Sequence, residues 1–283
     1  MVVRPASAEH GIWFRRTDLS ARTGFVAARW DAVVPSRLCT QVANRYGTTV
    51  STIEHVMAAL AGCGIHNALI EIDGPEVPIL DGSAAAFVTA FVRRGFRATS
   101  APLRAFRVLK SIEVRDGEAW ARLDPSDMLE IAFEIDFADG AIGHQSKVLN
   151  MSNGAFVREL CDSRTFCRQQ DVDLMRLNGL ALGGTLDNAV VVDGDHVLSP
   201  GGFRHPDEAV RHKMLDALGD LALAGAPILG RYSGHRAGHA MTNQLLKALF
   251  AAHDAYRLVD VAATTGGKMP GVGVTKADIA AFA

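Results

Sequence analysis

Hydrophobic and polar positions along the chain predict a mixture of helices and strands. Short apolar runs, several of them alternating with polar positions, predict strands at residues 68–72, 106–114, 118–123, 129–137 and 189–192. Segments with capping residues and apolar surface predict helices at residues 50–64, 83–95, 154–161, 171–177, 206–224 and 242–253. Because the alternation in the middle of the chain is partly of period two, we expect half-buried antiparallel strands there.

Two of the predicted helices have recognisable ends. The first begins near Ser51, a good N-cap residue, and Glu54 three positions later completes the pattern of a capping box. Gly64 follows it, where a glycine can end a helix. The long helix has Pro206 in its first turn and Gly225 just beyond its last residue, which are the preferred places for these two residue types.

The length of the chain allows more than one domain. A chain of 283 residues is long enough for one large domain or two ordinary ones, each with its own core. Residues 99–102 are Thr-Ser-Ala-Pro, a composition that predicts a linker. The pattern changes there, because the segment beyond this linker opens with consecutive strands.

Charge and cysteine usage exclude several classes of protein. The formal net charge is −2 and the basic residues are scattered, so the chain offers no broad basic surface for nucleic acid or an anionic membrane. The four cysteines form neither a C-x-x-C pair nor a disulfide framework, which favours a reducing compartment. The chain shows no signal-peptide pattern and no uninterrupted apolar stretch of about 18 residues. We therefore predict a cytoplasmic protein without a transmembrane segment.

Polar residues interrupt the long apolar helix at regular positions. His212 and Asp216 are four residues apart, so a helix places them on one face, about one turn from each other. An imidazole and a carboxylate in this arrangement can bind one divalent metal ion, and His55 from the first helix would complete a set of three ligands with one position open for water. Asp220 continues the same face and could support a neighbouring group. The alternative is an exposed ion pair without function.

Two further choices remain open on pattern alone. Glu54 fits the capping box, but it would also fit a general base that activates water beside a metal-binding His55. His239 could be a general acid, since an unperturbed imidazole titrates near neutral pH. His235, four residues earlier, competes for that role, and either histidine could simply be a loop or cap residue.

Several short motifs follow one another along the chain. They are STIEH at 51–55, AALAG at 58–62, PILDGSA at 78–84, SRTF at 163–166, LGG at 182–184, VRHKMLDALGD at 210–220 and GHA at 238–240. Together and in this order, they resemble the motifs of the UDP-3-O-acyl-N-acetylglucosamine deacetylases. The resemblance implies an α+β fold with two α/β two-layer sandwich domains of similar topology, at residues 1–101 and 102–283, and an active site between them. It also implies an insert at about residues 166–191 that forms a passage for an acyl chain.

The resemblance also implies roles for individual residues. The ligands of a Zn²⁺ ion, for which Fe²⁺ is an alternative, would be His55, His212 and Asp216. The residues that take part in the chemistry would be Glu54 as general base, His239 as general acid, Asp220 as the carboxylate that orients this histidine, and Thr165 as an oxyanion donor. The residues that bind substrate would be Lys213, Phe166, Phe137, Ala181, Thr185 and Ala189.

The activity implied is zinc-dependent hydrolysis of the N-acetyl group of UDP-3-O-acyl-N-acetylglucosamine, an early step of lipid A biosynthesis that releases acetate. The alternatives are a paralogous zinc deacylase for another N-acyl sugar nucleotide and a non-catalytic binding protein of the same fold. The chain departs from the family pattern at Cys167, where glycine is common, and at Ala119, where some members have a basic residue. It also begins within the family's N-terminal strand region, which leaves two alternatives: the first sheet lacks an edge strand, or the true start lies upstream.

Overall fold

Helices and strands are both present in a computed structural model that describes residues 1–180, 183–261 and 263–282. The strands are β1 (Val2–Pro5), β2 (Ile12–Arg16), β3 (Phe25–Ala27), β4 (Val33–Val34), β5 (Gln41–Ala43), β6 (Thr49–Val50), β7 (Ala68–Ile72), β8 (Arg104–Val108), β9 (Ile112–Asp116), β10 (Ala119–Pro125), β11 (Leu129–Asp136), β12 (His144–Asn150), β13 (Phe166–Arg168), β14 (Val190–Asp193), β15 (His196–Val197), β16 (Ile228–His235) and β17 (Tyr256–Asp260). The α-helices are α1 (Glu54–Gly62), α2 (Ala85–Arg94), α3 (Ala155–Glu159), α4 (Gln169–Leu177), α5 (Glu208–Leu221), α6 (His239–Ala251) and α7 (Ala263–Gly266). Short 3₁₀ turns occur at Trp30–Ala32, Ala222–Ala224 and Lys276–Phe282.

Two sheets are built from separate parts of the chain. The first has the order β1-β7-β2-β3, in which β7 is antiparallel to β1 and parallel to β2. The second is seven-stranded and runs β12-β11-β16-β10-β9, with β8 pairing to both β16 and β17. Two smaller sheets, β4-β5-β6 and β13-β14-β15, lie outside them. This mixture of largely antiparallel sheets and helices confirms the predicted α+β class. The domain boundary after residue 101 remains a prediction.

The helices α1 and α5 pack against each other without space for a side chain at one point. A Cβ atom on Gly219 of α5 would lie 2.1 Å from the backbone oxygen of Glu54 in α1. A glycine is therefore required at position 219 if the two helices are to keep this distance. The contact matters for function, because these two helices carry the residues that sequence analysis proposes as metal ligands.

The predicted capping box at the first helix is wrong. α1 begins at Glu54, and its N-cap residue is Ile53, which makes no side-chain cap. The hydroxyl of Ser51 donates instead to the carbonyl of Pro75, and the backbone of Ser51 forms a β-bridge with Glu76. Ser51 thus takes part in sheet-like pairing, and the helix begins only at Glu54.

Other predicted elements differ from the structure mainly in their ends. The strand predicted at 106–114 is two strands, β8 and β9, and residues 233–235, which lie outside every predicted helix and strand, are the end of β16. β16 lies at the centre of its sheet, and its Tyr232 is fully buried. Residues 99–102, the predicted linker, contain neither helix nor strand. Within the described ranges, no helix has the length and apolar character needed to cross a membrane.

Candidate active site

Three side chains from α1 and α5 converge on one point. His55 is the second residue of α1, and His212 and Asp216 lie one turn apart on α5. The Nε2 atoms of His55 and His212 lie 3.7 Å and 3.3 Å from Asp216 Oδ1. All three residues are buried. The alternative interpretation, an exposed His–Asp ion pair, therefore does not hold.

The chemistry of these side chains fits a divalent metal ion. Their ligand atoms lie within 4.8 Å of one another, close enough for one ion to bind all three at zinc–ligand distances of about 2.0–2.2 Å. Asp216 Oδ1 is buried and has no hydrogen-bond partner among the described residues, which is costly unless a cation binds there. His212 Nδ1 lies 3.0 Å from the carbonyl of Ser163, an arrangement that fixes the tautomer and leaves Nε2 free to bind metal.

Charges around the cluster also favour ligand-competent protonation states. Burial, and to a smaller extent the charge of the neighbouring His212, lowers the pKa of His55 to about 3. The imidazole is therefore neutral at physiological pH. Burial by itself raises the pKa of Asp216, but His212 and Lys213 outweigh it and hold that pKa well below its usual range. Lys213 Nζ donates to Asp216 Oδ2 at 2.7 Å. The lysine proposed to bind substrate thus contacts a proposed metal ligand in this structure.

Glu54 and His239 face each other beside the three ligands. Oε1 of Glu54 lies 3.9 Å from Nε2 of His239, and Nδ1 of His239 lies 2.8 Å from Oδ2 of Asp220. Burial raises the pKa of Glu54 to about 7 against the opposing charge of His239. Burial also lowers the pKa of His239, but Asp220, Asp216 and Glu54 outweigh it and raise this pKa to about 10. A protonated imidazole therefore stands beside a carboxylate that titrates near neutrality, which suits acid–base chemistry.

His239 and His235 are separated by the end of β16. His239 is the first residue of α6 and reaches Asp220 and Glu54. His235 lies on β16, stacks on Trp120 with ring centroids 6.1 Å apart, and has its Nδ1 3.5 Å from Glu134. The structure thus brings His239 rather than His235 to the carboxylates of the site.

Thr165 and two aromatic rings border the same site. The backbone N–H of Thr165 donates to the carbonyl of Gly82, and its own carbonyl accepts from the N–H of Val190, so a loop and the start of β14 hold this residue in place. Phe166 follows it, and its ring lies edge-on to His212 at 6.3 Å and to Phe137 at 5.5 Å. The structure therefore places Phe166 next to a proposed ligand and Phe137 next to Phe166.

The insert at residues 166–191 is only partly described. It contains β13, the exposed helix α4 and the start of β14, and none of the residues of α4 is buried. Thr185 is exposed and accepts a backbone hydrogen bond from Asp187 on its hydroxyl. Ala189 is half-buried just before β14. Ala181, also proposed to bind substrate, lies outside the described residues.

Sequence reasoning missed two groups that contact the proposed catalytic residues. The carbonyl of Ser163 accepts from His212, and a backbone atom leaves no trace in a residue pattern. Thr40 is buried and donates to both Glu54 and Asp220. It lies in a segment without a recognisable motif.

Comparisons with known proteins agree on one family. A profile of the UDP-3-O-acyl N-acetylglycosamine deacetylase family matches residues 1–251. A protein of Phenylobacterium zucineum (strain HLK1), named UDP-3-O-acyl-N-acetylglucosamine deacetylase, is 50% identical over 258 residues, which cover 91% of this chain and 88% of that protein. Proteins of the same name from Shewanella frigidimarina and Shewanella oneidensis are each 44% identical, covering 92% and 91% of this chain and 85% and 84% of the respective relatives.

Proposed function

The chain belongs to the UDP-3-O-acyl N-acetylglycosamine deacetylase family, and we propose that it hydrolyses the N-acetyl group of UDP-3-O-acyl-N-acetylglucosamine, releasing acetate for lipid A biosynthesis. The observation that carries this proposal is the convergence of a His–His–Asp cluster with a carboxylate and an oriented histidine in one buried site. We also propose that the reaction takes place in the cytoplasm, which agrees with four cysteines that are all free.

We propose that His55, His212 and Asp216 hold a Zn²⁺ ion. Two imidazoles and one carboxylate with an open fourth position are typical of catalytic zinc, although Fe²⁺ accepts similar ligands. A cation held there supplies Lewis acidity, which polarises an amide carbonyl and acidifies water. Lys213, bound to the second oxygen of Asp216, leaves Oδ1 as the oxygen that faces both imidazoles.

In the proposed reaction Glu54 accepts the proton of the attacking water. Its Oε1 faces His239, so a proton gained by the carboxylate is close to the group that must next supply one. His239, protonated at neutral pH and held by Asp220, then donates to the departing amine. The hydroxyl of Thr165 is proposed to donate to the oxyanion that develops on the acetyl carbonyl.

Substrate binding is proposed to involve the rings and the insert that border the site. Phe137 would pack near the uridine, and Phe166 lies where β13 leads into the insert. Thr185 and Ala189, together with Ala181, are proposed to leave room for the acyl chain. Each buried methylene of that chain would contribute about 0.8 kcal/mol at best.

The test is acetate release from UDP-3-O-acyl-N-acetylglucosamine by the purified, zinc-loaded protein. We expect turnover that a chelator abolishes and that added zinc restores, with the His212→Ala variant inactive under both conditions. Release of another acyl group from a different N-acyl sugar nucleotide, without acetate release here, would favour the paralogous deacylase. Zinc-loaded protein that binds the UDP-sugar but hydrolyses nothing would instead identify a binding protein.

A further inference from the structure

Thr40 bridges the two carboxylates on which the proposed proton transfers depend. Its backbone N–H donates to Glu54 Oε2 at 3.0 Å, and its hydroxyl donates to Asp220 Oδ1 at 2.5 Å. The residue is 3% exposed, so water does not compete for these contacts. Charge-assisted hydrogen bonds of this kind are about twice as strong as neutral ones. One buried residue therefore holds both acidic groups.

These contacts form part of a closed ring of four residues. Thr40 contacts Asp220, and Asp220 Oδ2 lies 2.8 Å from Nδ1 of His239. On its other side, Nε2 of His239 lies 3.9 Å from Oε1 of Glu54, which closes the ring. Each carboxylate thus uses one oxygen to contact Thr40 and presents the other to His239. Because a carboxylate anchored at one oxygen cannot rotate freely, the direction of the second oxygen is fixed as well.

The backbone around Thr40 is itself held in place. Thr40 immediately precedes β5, and its carbonyl lies 3.4 Å from the N–H of Ile53, the residue before α1. The donor groups of Thr40 are therefore positioned by the segment from which α1 starts, whereas Asp220 and His239 belong to α5 and α6. The hydroxyl of Thr40 connects these two parts of the site.

We propose that Thr40 is a positioning residue that sets Glu54 directly, and His239 through Asp220, for one sequence of proton transfers. This inference rests on the proposed function. Among the described residues, Thr40 forms its hydrogen bonds with Glu54, Asp220 and Ile53 and with no proposed metal ligand, so its loss should affect proton transfer and spare metal binding. A threonine that merely fills the core would instead affect stability alone.

The first experiment compares Thr40→Val with Thr40→Ser in the zinc-loaded protein. Valine keeps the shape and the backbone N–H but removes the hydroxyl, so we expect kcat to fall by roughly 10- to 100-fold, the usual effect of losing a supporting contact. KM and bound zinc should stay near the values of the original protein. Serine retains the hydroxyl and should restore most of kcat. A valine variant with lowered Tm but unchanged kcat would overturn the proposal.

A double-mutant cycle tests whether Thr40 acts through Asp220. If it does, Thr40→Val should cost little further activity in a chain that already carries Asp220→Ala, because the contact is already lost. Full additivity of the two losses would contradict the inference.

A measurement without substrate separates this inference from the proposed function. In protein labelled with ¹⁵N-histidine, the imidazole signals of His239, assigned by their absence in His239→Ala, report its hydrogen bond to Asp220. We expect Thr40→Val to shift or broaden these signals and Thr40→Ser to leave them in place. Unchanged signals in the valine variant would overturn the positioning role. If acetate release fails while these signals respond as expected, only the proposed reaction is wrong.

Discussion

Glu54 is a buried carboxylate close to two others. A substitution at this position can therefore distinguish a role in the chemistry from a role in stability. Burial, together with the charges of Asp216 and Asp220, raises its pKa against the opposing charge of His239, so its negative charge opposes folding more than it supports it. We therefore expect Glu54→Gln, which keeps an oxygen for the N–H of Thr40, to leave Tm and bound zinc nearly unchanged. Turnover should fall by roughly 10²-fold or more, as for a lost general base.

The matched control for this prediction is Ser51→Ala. In the rejected capping box, Ser51→Ala would destabilise the first helix by about 0.5–2 kcal/mol, whereas glutamine serves at position 54 as well as glutamate does. In the structure the Ser51 hydroxyl donates to Pro75 and caps nothing, so its loss should leave activity intact. Measuring kcat, zinc content and thermal melting on the two variants checks the assignment. A Glu54→Gln protein that is destabilised but active would remove Glu54 from the chemistry.

At the residue scale, the sequence predicted the side chains of the site better than the groups that hold them in position. The spacing of His212 and Asp216 determines a shared helical face, and burial then makes an isolated ion pair untenable. His239 could not be distinguished from His235 by pattern, because the end of β16 that separates them depends on pairing with strands distant in sequence. Thr40 lies 180 residues from Asp220, and such a contact has no local signature.

At the scale of elements, the contact between α1 and α5 sets the distance between ligands. A methyl group on Gly219 would meet the Glu54 carbonyl at 2.1 Å, so Gly219→Ala must push the helices apart. We expect it to destabilise the protein by about 1–3 kcal/mol, the usual cost of overpacking, and to weaken zinc binding. Gly74→Ala, at a site with open space, should do neither. Denaturant melts and zinc titrations decide, and an unaffected zinc affinity would contradict the coupling.

The start of α5 is anchored by a buried ion pair. Glu208 accepts from Nε and the backbone N–H of Arg164, and from the backbone N–H of Arg204. Burial raises the pKa of Glu208, but the hydrogen bonds from Arg164 outweigh it and the net pKa is lowered. This anchor fixes Ser163, whose carbonyl accepts from His212, relative to the helix that carries the histidine.

A pH series can measure this anchor. Because the folded-state pKa of Glu208 lies below its unfolded value of about 4.3, the pair contributes its full stability above that pH. The contribution is lost as the pH falls through the folded-state pKa. We expect Glu208→Gln to lower the free energy of unfolding by about 3 kcal/mol at pH 7, the scale for a broken buried pair. The difference from the original protein should shrink below about pH 4, and a constant difference would contradict the assignment.

The sequence predicted elements where local signals are strong. β7, with its period-two pattern, and α2, with Gly95 after it, were found with nearly correct ends. The start of α1 was missed because the pairing of Ser51 with Glu76 overrides a good N-cap residue. β16 was missed for a related reason: its Gly230 and Gly234 weaken the strand pattern, while burial between two neighbouring strands stabilises it.

At the scale of the whole molecule, the proposed metal site joins helices that are distant in the chain. His55 belongs to α1, whereas His212 and Asp216 belong to α5, more than half the chain away. The unfolded chain does not hold these ligands together, so a metal ion binds the folded state far better and stabilises it. Without a cation, Asp216 Oδ1 has no hydrogen-bond partner among the described residues, and this destabilises the fold.

Metal removal should therefore lower the melting temperature of the entire protein. Zinc at 1,000 times its dissociation constant adds about 4 kcal/mol, and 1 kcal/mol shifts Tm by about 2–4 °C in chains of roughly this size. We expect a chelator to lower Tm by on the order of 10 °C and added zinc to restore it. His212→Ala, which lacks one ligand, should melt at the same temperature with and without chelator. If chelation shifts this variant as much as the original protein, the stabilising metal is bound elsewhere, because the site at His212 would contribute nothing to the shift.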